Sequence, residues 1–210
     1  FLKGVGGKGG KVLFVGTKKQ AQVSIKETAE ATGQPYVCER WLGGMMTNLN
    51  TIRKSIKRMV ELETMESDGR MAEFVKQEQS MLRRELNRLH IRLNGIRDLN
   101  SKPDAMFIVD IKREHIAIKE AQKLNIPIFA MVDTNSDPRQ VDYVIPSNDD
   151  ASKSINKIVS TVSKAVIEGL AARKAEKEGK SDEAETKAKA QSEAAVATAA
   201  VAETAAKEEE

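Results

Sequence analysis

The sequence has few of the side chains from which disulfides, metal centres and catalytic relays are built. In 210 residues it contains one cysteine and two histidines, and aromatic residues make up 4% of the chain. The lone thiol, Cys38, excludes an internal disulfide. No apolar run approaches the roughly 20 residues that cross a bilayer, and no signal-peptide core follows Phe1. We therefore expect a protein of the reducing cytoplasm that has neither a membrane nor a small-molecule substrate among its partners.

Known catalytic and ligand-binding patterns are incomplete. Gly4, Gly6 and Gly9 satisfy G-x-G-x-x-G but precede a predicted strand, whereas a dinucleotide loop follows one. The run 133–137 (DTNSD) imitates the start of a calcium loop, yet Pro138 stands where glycine is required. His90 has no acidic or nucleophilic neighbour in the sequence, and His115 opens a predicted helix. We expect no catalytic residue, cofactor or metal site.

Positive charge is concentrated in the first half of the chain. Residues 1–100 contain 18 Lys and Arg against 11 Asp and Glu, whereas residues 171–210 contain 7 against 10. This asymmetry predicts that the first half faces a polyanion. An ordinary solvated surface is the alternative.

Short apolar segments alternate with amphipathic ones along most of the chain. Strands are predicted at 11–15, 36–38, 104–110, 126–133 and 141–146, and helices at about 18–31, 114–124 and 151–172. This alternation is typical of an α/β domain whose parallel sheet is covered on both faces. The domain is predicted to comprise 9–46 and 100–170.

A long insertion, 47–99, separates the second and third predicted strands. Its apolar residues keep heptad spacing in two segments, at Leu49, Ile52, Ile56 and Met59 and at Leu82, Leu86, Leu89, Leu93 and Ile96. Ser67, Asp68 and Gly69 offer a turn between them. We predict an antiparallel coiled-coil hairpin; a buried helical pair in a second globular domain is the alternative. Residues 171–210, with 14 alanines and no aromatic residue, predict a disordered tail.

Cations accompany this insertion. From Arg40 to Val60 the sequence has no acidic residue. Arg53 with Lys57 and Lys54 with Arg58 lie one helical turn apart, and Trp41 adds an aromatic plane. Guanidinium and aromatic groups suit RNA, because phosphates supply affinity and exposed bases supply stacking. The predicted RNA-binding residues are Lys18, Lys19, Arg40, Trp41, Arg53, Lys54, Lys57, Arg58, Arg84, Arg88 and Arg92. A charged coiled coil that binds no RNA is the alternative.

Four blocks of sequence resemble one family throughout. They are GGKVLFVGTKKQA (Gly9 to Ala21), RWLGGMMTNLNTIRKSIKRM (Arg40 to Met59), PDAMFIVDIKREHIAIKEA (Pro103 to Ala121) and IPIFAMVDTNSDPRQVDYVIPSNDD (Ile126 to Asp150). In order and spacing they resemble the family of the second protein of the bacterial small ribosomal subunit. Relative to that family, several dozen N-terminal residues are expected to be missing.

The resemblance implies a flavodoxin-like, three-layer domain with five parallel strands and the helical hairpin inserted after the second. It also implies a ribosome-bound structural protein of translation. Its partners would be small-subunit ribosomal RNA and neighbouring ribosomal proteins, including the large messenger-binding one.

Two other classes of function remain open from the residues alone. An α/β enzyme acting on nucleotides or phosphate esters would use Asp110, Asp133 and Asp137 at the carboxyl edge of the sheet. Asp149 and Asp150 also belong to that edge, where a magnesium ion could sit, although capping of the last helix is the favoured use of this pair. A coiled-coil scaffold would bind only proteins. The interpretation we favour is a non-catalytic ribosomal protein.

Overall fold

The computed structural model describes residues 1–175. The strands are β1 (Val12–Val15), β2 (Tyr36–Val37), β3 (Ala105–Val109), β4 (Ile128–Val132) and β5 (Tyr143–Pro146). The helices are α1 (Leu2–Lys8), α2 (Lys19–Thr32), α3 (Leu49–Ser67), α4 (Lys76–Leu93), α5 (His115–Lys123) and α6 (152–175). Short 3-10 turns occupy Arg70–Glu73, Asn94–Ile96 and Pro138–Gln140. None of the described helices is long and apolar enough to cross a membrane.

All five strands are parallel and follow the order β2-β1-β3-β4-β5. This is the order of flavodoxin-like sheets, and it confirms the predicted fold class. Every residue of β1, β3 and β4 is buried, which explains why their sequences are continuous apolar runs. The edge strand β5 is mostly exposed although its sequence, YVIP, is largely apolar.

The side chains of each strand alternate between two apolar clusters, one on each face of the sheet. Leu13 and Val15 point to a cluster that contains residues of α5 and of the α3–α4 pair. Val12 and Phe14 point to a second cluster, built with α2 and α6. Alternate side chains of each strand therefore pack on opposite faces of the sheet, and the helices on both faces give the domain three layers.

The insertion folds as the predicted hairpin. Ile52, Ile56, Met59 and Leu62 of α3 are buried with Leu86 and Leu93 of α4. These residues belong to the same apolar cluster as Leu13 and Met106 of the sheet. The base of the hairpin is thus continuous with the main core.

Helix α1 was not anticipated from the sequence, because three glycines in seven residues disfavour a helix. Tertiary contact overrides this preference, since α1 crosses α6 at Gly6 and Gly169. A Cβ atom on Gly6 would lie 2.8 Å from the carbonyl oxygen of Val166. Of the glycines that imitate a dinucleotide loop, Gly6 therefore lies at a close helix crossing, whereas Gly9 caps α1 in the left-handed conformation.

The last described helix extends the prediction by a few residues. It was expected to end near Ala172, and 171–175 are helical. The rest of the predicted tail, 176–210, lies outside the described residues.

Candidate nucleic-acid interface

The loop between β2 and α3 is organised by a single carboxylate from α5. Glu120 is only 7% exposed. Its Oε1 accepts from the indole Nε1 of Trp41 at 3.1 Å and from the amide of Gly44 at 2.7 Å. Its Oε2 accepts from the amides of Met46 and Thr47, each at 3.0 Å, and from Thr47 Oγ1 at 3.1 Å. Five donors from the loop thus converge on one side chain, which sets the point where the hairpin begins.

Sequence reasoning missed Glu120, although a signal was present. Ala117, Glu120 and Ala121 all lie on the buried stripe of α5, where an acidic residue needs partners. Burial by itself would raise the pKa of Glu120. The amide of Thr47, the indole of Trp41 and the amides of Met46 and Gly44 outweigh burial, so the pKa lies below its ordinary value. Glu120 is therefore a carboxylate held in its charged form.

Trp41 does not fit the predicted role of stacking on an RNA base. Its side chain is 5% exposed and belongs to the core cluster on the hairpin side of the sheet. Its single donor is already satisfied by Glu120. The prediction for this residue is corrected: Trp41 is a core residue that anchors the loop.

We expect Trp41→Phe to lower the free energy of unfolding by about 2 kcal/mol, because it removes a hydrogen bond to a buried carboxylate and part of the packed ring. RNA affinity of the folded protein should not change. Thermal melting and filter binding below both melting temperatures measure the two effects separately. If Trp41→Phe lost RNA affinity without losing stability, Trp41 would contact RNA after all.

On α3 the four predicted cations differ in their surroundings. Lys54 and Lys57 are exposed and have no acidic partner among the described residues. Arg58 lies 3.5 Å from carboxylate oxygens of both Glu61 and Glu85. Arg53 is half-buried, and its Nε is buried without a hydrogen-bond partner in the described part of the chain. The two lysines are the cations most available to a phosphate.

On α4 the predicted cations form one exposed row. Arg84, Arg88 and Arg92 lie one turn apart, and no ion pair involves them among the described residues. A groove of about 730 Å³ lies beside Arg84 and Arg88 and also contacts Phe74 and Met81, which are 38% and 62% exposed. This surface combines guanidinium groups with apolar area.

The remaining predicted cations lie at the carboxyl edge of the sheet. Lys19 and Arg40 are exposed. Lys18 is not available to a phosphate, because its Nζ pairs with Asp149 at 2.9 Å, with Asp110 at 3.4 Å and with Asp150. Its side chain is 14% exposed. The prediction that Lys18 contacts RNA is corrected by this internal pairing.

Of the residues proposed for an enzyme, Asp110 and Asp133 lie at the carboxyl edge of the sheet, whereas Asp137 is engaged by Arg139. Asp137 lies on a 3-10 turn, where its carboxylate accepts from the amide and the guanidinium of Arg139. Asp110 faces Lys18 and also accepts from the amide of Arg113 at 3.1 Å. Nearby, the buried Glu114 accepts from the amide and hydroxyl of Thr17. The contacts of Asp110 with Lys18 and of Glu114 with Thr17 tie the ends of β1 and β3 together.

Two further expectations from the sequence are wrong. His90 was expected to lack an acidic partner, yet its Nε2 lies 3.0 Å from Glu63 of α3, a residue far away in the sequence. Asp149 and Asp150 were expected to cap the last helix. Neither carboxylate accepts from an amide of α6 among the described residues, whereas Asn148 Oδ1 accepts from the amides of Asp150 and Ala151, just before the helix, at 2.8 and 2.9 Å.

Comparison with known proteins agrees with this architecture. Residues 1–169 match the family described as Ribosomal protein S2. The small ribosomal subunit protein uS2 of Flavobacterium johnsoniae is 55% identical over 197 residues, which are 94% of this chain and 77% of that protein. Its counterpart in Flavobacterium psychrophilum is 55% identical over 84% of this chain and 66% of its own length. The counterpart in Christiangramia forsetii is 54% identical over 83% of this chain and 58% of its own length.

The chain thus spans from 58% to 77% of the length of these relatives. The matched region nevertheless includes every strand of the sheet and both helices of the hairpin. On this match, the chain belongs to the ribosomal protein S2 family.

Proposed function

We propose that the chain is a structural constituent of the small ribosomal subunit, acting in translation on cytoplasmic ribosomes, and that it binds ribosomal RNA through its helical hairpin. The observation that carries the RNA interface is the set of exposed hairpin cations without acidic partners among the described residues: Lys54, Lys57, Arg84, Arg88 and Arg92. Lys19, Arg40 and Arg53 would extend this surface.

Electrostatics supports the proposal. Lysine and arginine that already hold an acidic neighbour gain little from a phosphate, whereas unpaired cations release counterions from RNA. Arg58, which lies near two glutamates, is therefore a weaker candidate than Lys54 or Lys57. Membership of the family supports neighbouring ribosomal proteins as further partners. The resemblance of the chain to this family also implies contact with the large messenger-binding ribosomal protein.

The RNA interface predicts a change in salt dependence. For Lys54→Gln/Lys57→Gln, the slope of log K against log [salt] should decrease in magnitude by about 1.4 to 1.8, on the basis of roughly 0.7 to 0.9 per phosphate contact. Base preference should remain, because phosphates carry no sequence information. Filter binding of small-subunit RNA at four salt concentrations measures the slope.

Lys153→Gln/Lys157→Gln is the matched control. It removes the same charge from two exposed positions of α6, also one turn apart. We expect its slope to equal that of the unmodified chain. Equal decreases in both variants would attribute the effect to net charge, and an unchanged slope in the first would move the interface to the arginines of α4.

A further inference from the structure

Four carboxylates gather where the carboxyl ends of neighbouring strands meet. Asp110 follows β3, Asp133 follows β4, and Asp149 and Asp150 precede α6. One oxygen each from Asp133, Asp149 and Asp150 lies within 4.8 Å of the others. In open α/β sheets this edge is the place where ligands bind. We call these four residues the carboxylate cluster.

The carboxylate cluster is only partly neutralised. Lys18 is the one cation that pairs with its members among the described residues. Its single ammonium group faces Asp110, Asp149 and Asp150, so three negative charges remain uncompensated when all four carboxyls are ionised. Carboxylates this close repel one another, and a further bound cation would offset that repulsion.

The second observation is a buried oxygen without a partner. Asp149 is completely buried. Its Oδ1 accepts from Lys18 at 2.9 Å, but its Oδ2 has no hydrogen-bond partner in the described part of the chain. The carboxylate to which Oδ2 belongs contributes one oxygen to the group that lies within 4.8 Å. Leaving a buried carboxylate oxygen unpaired costs more free energy than a typical hydrogen bond contributes, and a bound cation would offset this cost.

Part of the cluster is already hydrogen-bonded: Asp133 accepts from the amides of Thr134 at 2.7 Å and Asp149 at 3.4 Å, and Asp110 accepts from the amide of Arg113 at 3.1 Å. Asp149 and Asp150 accept no hydrogen bond from an amide of α6 among the described residues, and Asn148 accepts from the two amides just before the helix. The side chain of Asp150 is 66% exposed, which leaves the cluster open to solvent on one side. A cation could therefore reach the buried oxygen of Asp149 while keeping part of its water shell.

We propose that Asp133, Asp149 and Asp150, with Asp110 beside them, bind one hard divalent cation of the magnesium class. The donor set contains only carboxylate oxygens, with no histidine or thiolate, and such sets favour Mg²⁺, Mn²⁺ or Ca²⁺ over zinc. The cation supplies the missing partner of Asp149 Oδ2, while Lys18 stays paired with Asp149 Oδ1. It links the loop after β4 to the start of α6.

The test uses the full chain, freed of metal by chelation, and Mn²⁺ as the probe. Titration followed by electron paramagnetic resonance at constant ionic strength counts bound Mn²⁺, and competition with Mg²⁺ follows. We expect one saturable Mn²⁺ per chain that Mg²⁺ displaces. Thermal melting should show a higher Tm with Mg²⁺ than with an ionic-strength match of KCl.

Three variants locate the site. Asp150→Asn changes an exposed residue and should fold normally, and both it and Asp133→Asn should weaken Mn²⁺ binding on the order of tenfold or more. Asp137→Asn removes a charge from the same loop outside the cluster and should leave Mn²⁺ affinity unchanged. The absence of saturable binding, or an equal loss in Asp137→Asn, would overturn the proposal.

Discussion

Glu120→Gln should lower the free energy of unfolding by about 3 kcal/mol, since hydrogen bonds to a charged group are worth roughly 1.5 to 3 kcal/mol and buried donors left unpaired add to the loss. The carboxylate accepts five hydrogen bonds from the loop that leads into the hairpin. A glutamine amide keeps one acceptor but turns its NH₂ group toward two or three of these donors. Urea unfolding followed by circular dichroism measures the difference.

The same carboxylate should make stability depend on pH. The pKa of Glu120 is lowered from its ordinary value of 4.5, because hydrogen bonds from the loop outweigh burial. A group with a lowered folded-state pKa stabilises the fold above its unfolded pKa and loses that contribution as the pH falls below it. The unmodified chain should therefore lose stability below about pH 4.5, and Glu120→Gln should lose less over that interval.

Glu27→Gln is a suitable control for both measurements. Glu27 lies on α2, is exposed and has no ion pair among the described residues. Its replacement should leave the unfolding free energy and the pH profile nearly unchanged. If Glu120→Gln behaved like this control, the loop before α3 would not depend on the carboxylate.

Leu93→Ala should destabilise the whole described domain by about 2 to 5 kcal/mol, the range for truncating a leucine in a packed core. Leu93 is 1% exposed and lies in the apolar cluster that also contains Leu13 and Met106 of the sheet. Because the base of the hairpin shares this cluster, we expect one cooperative transition at lower denaturant. Hydrogen exchange should show faster exchange in the sheet amides as well as in α4.

A matched variant farther along the hairpin should behave differently. Leu86 is 6% exposed and Leu89 is only partly buried, so Leu86→Ala/Leu89→Ala removes contacts mainly between α3 and α4. Exchange should then increase in the two helices while amides of β1 and β3 stay protected. Loss of protection throughout the sheet would show that the full length of the hairpin folds with the core.

Much of the architecture was accessible from local patterns. The apolar runs of β1, β3 and β4 are buried strands because both faces of a parallel sheet are covered. The heptad spacing of α3 and α4 predicted a hairpin, since apolar residues at that spacing form one stripe. Helix α1 escaped prediction because its glycines disfavour a helix, and the crossing with α6, which brings Gly6 and Gly169 together, is a contact between distant segments.

The candidate interface was less predictable. Spacing along α3 and α4 identified exposed cations such as Lys54 and Arg88, whose environment is set by the helix itself. It did not identify which side chains already have hydrogen-bond or ion-pair partners within the protein. Lys18, Trp41 and His90 have partners in distant segments, and nothing in the residues around each of them names those partners.

The sequence by itself determined the strands and the helices other than α1, the position of the hairpin and the concentration of positive charge beside it, because these follow from periodicity and composition over short windows. Only the tertiary structure decided which side chains remain available to a ligand. Lys18 and Asp149 are separated by 131 positions, yet they lie 2.9 Å apart because β1 is adjacent to β3 and β3 to β4. Contacts of this kind depend on the order of strands in the sheet, and that order is a property of the whole fold.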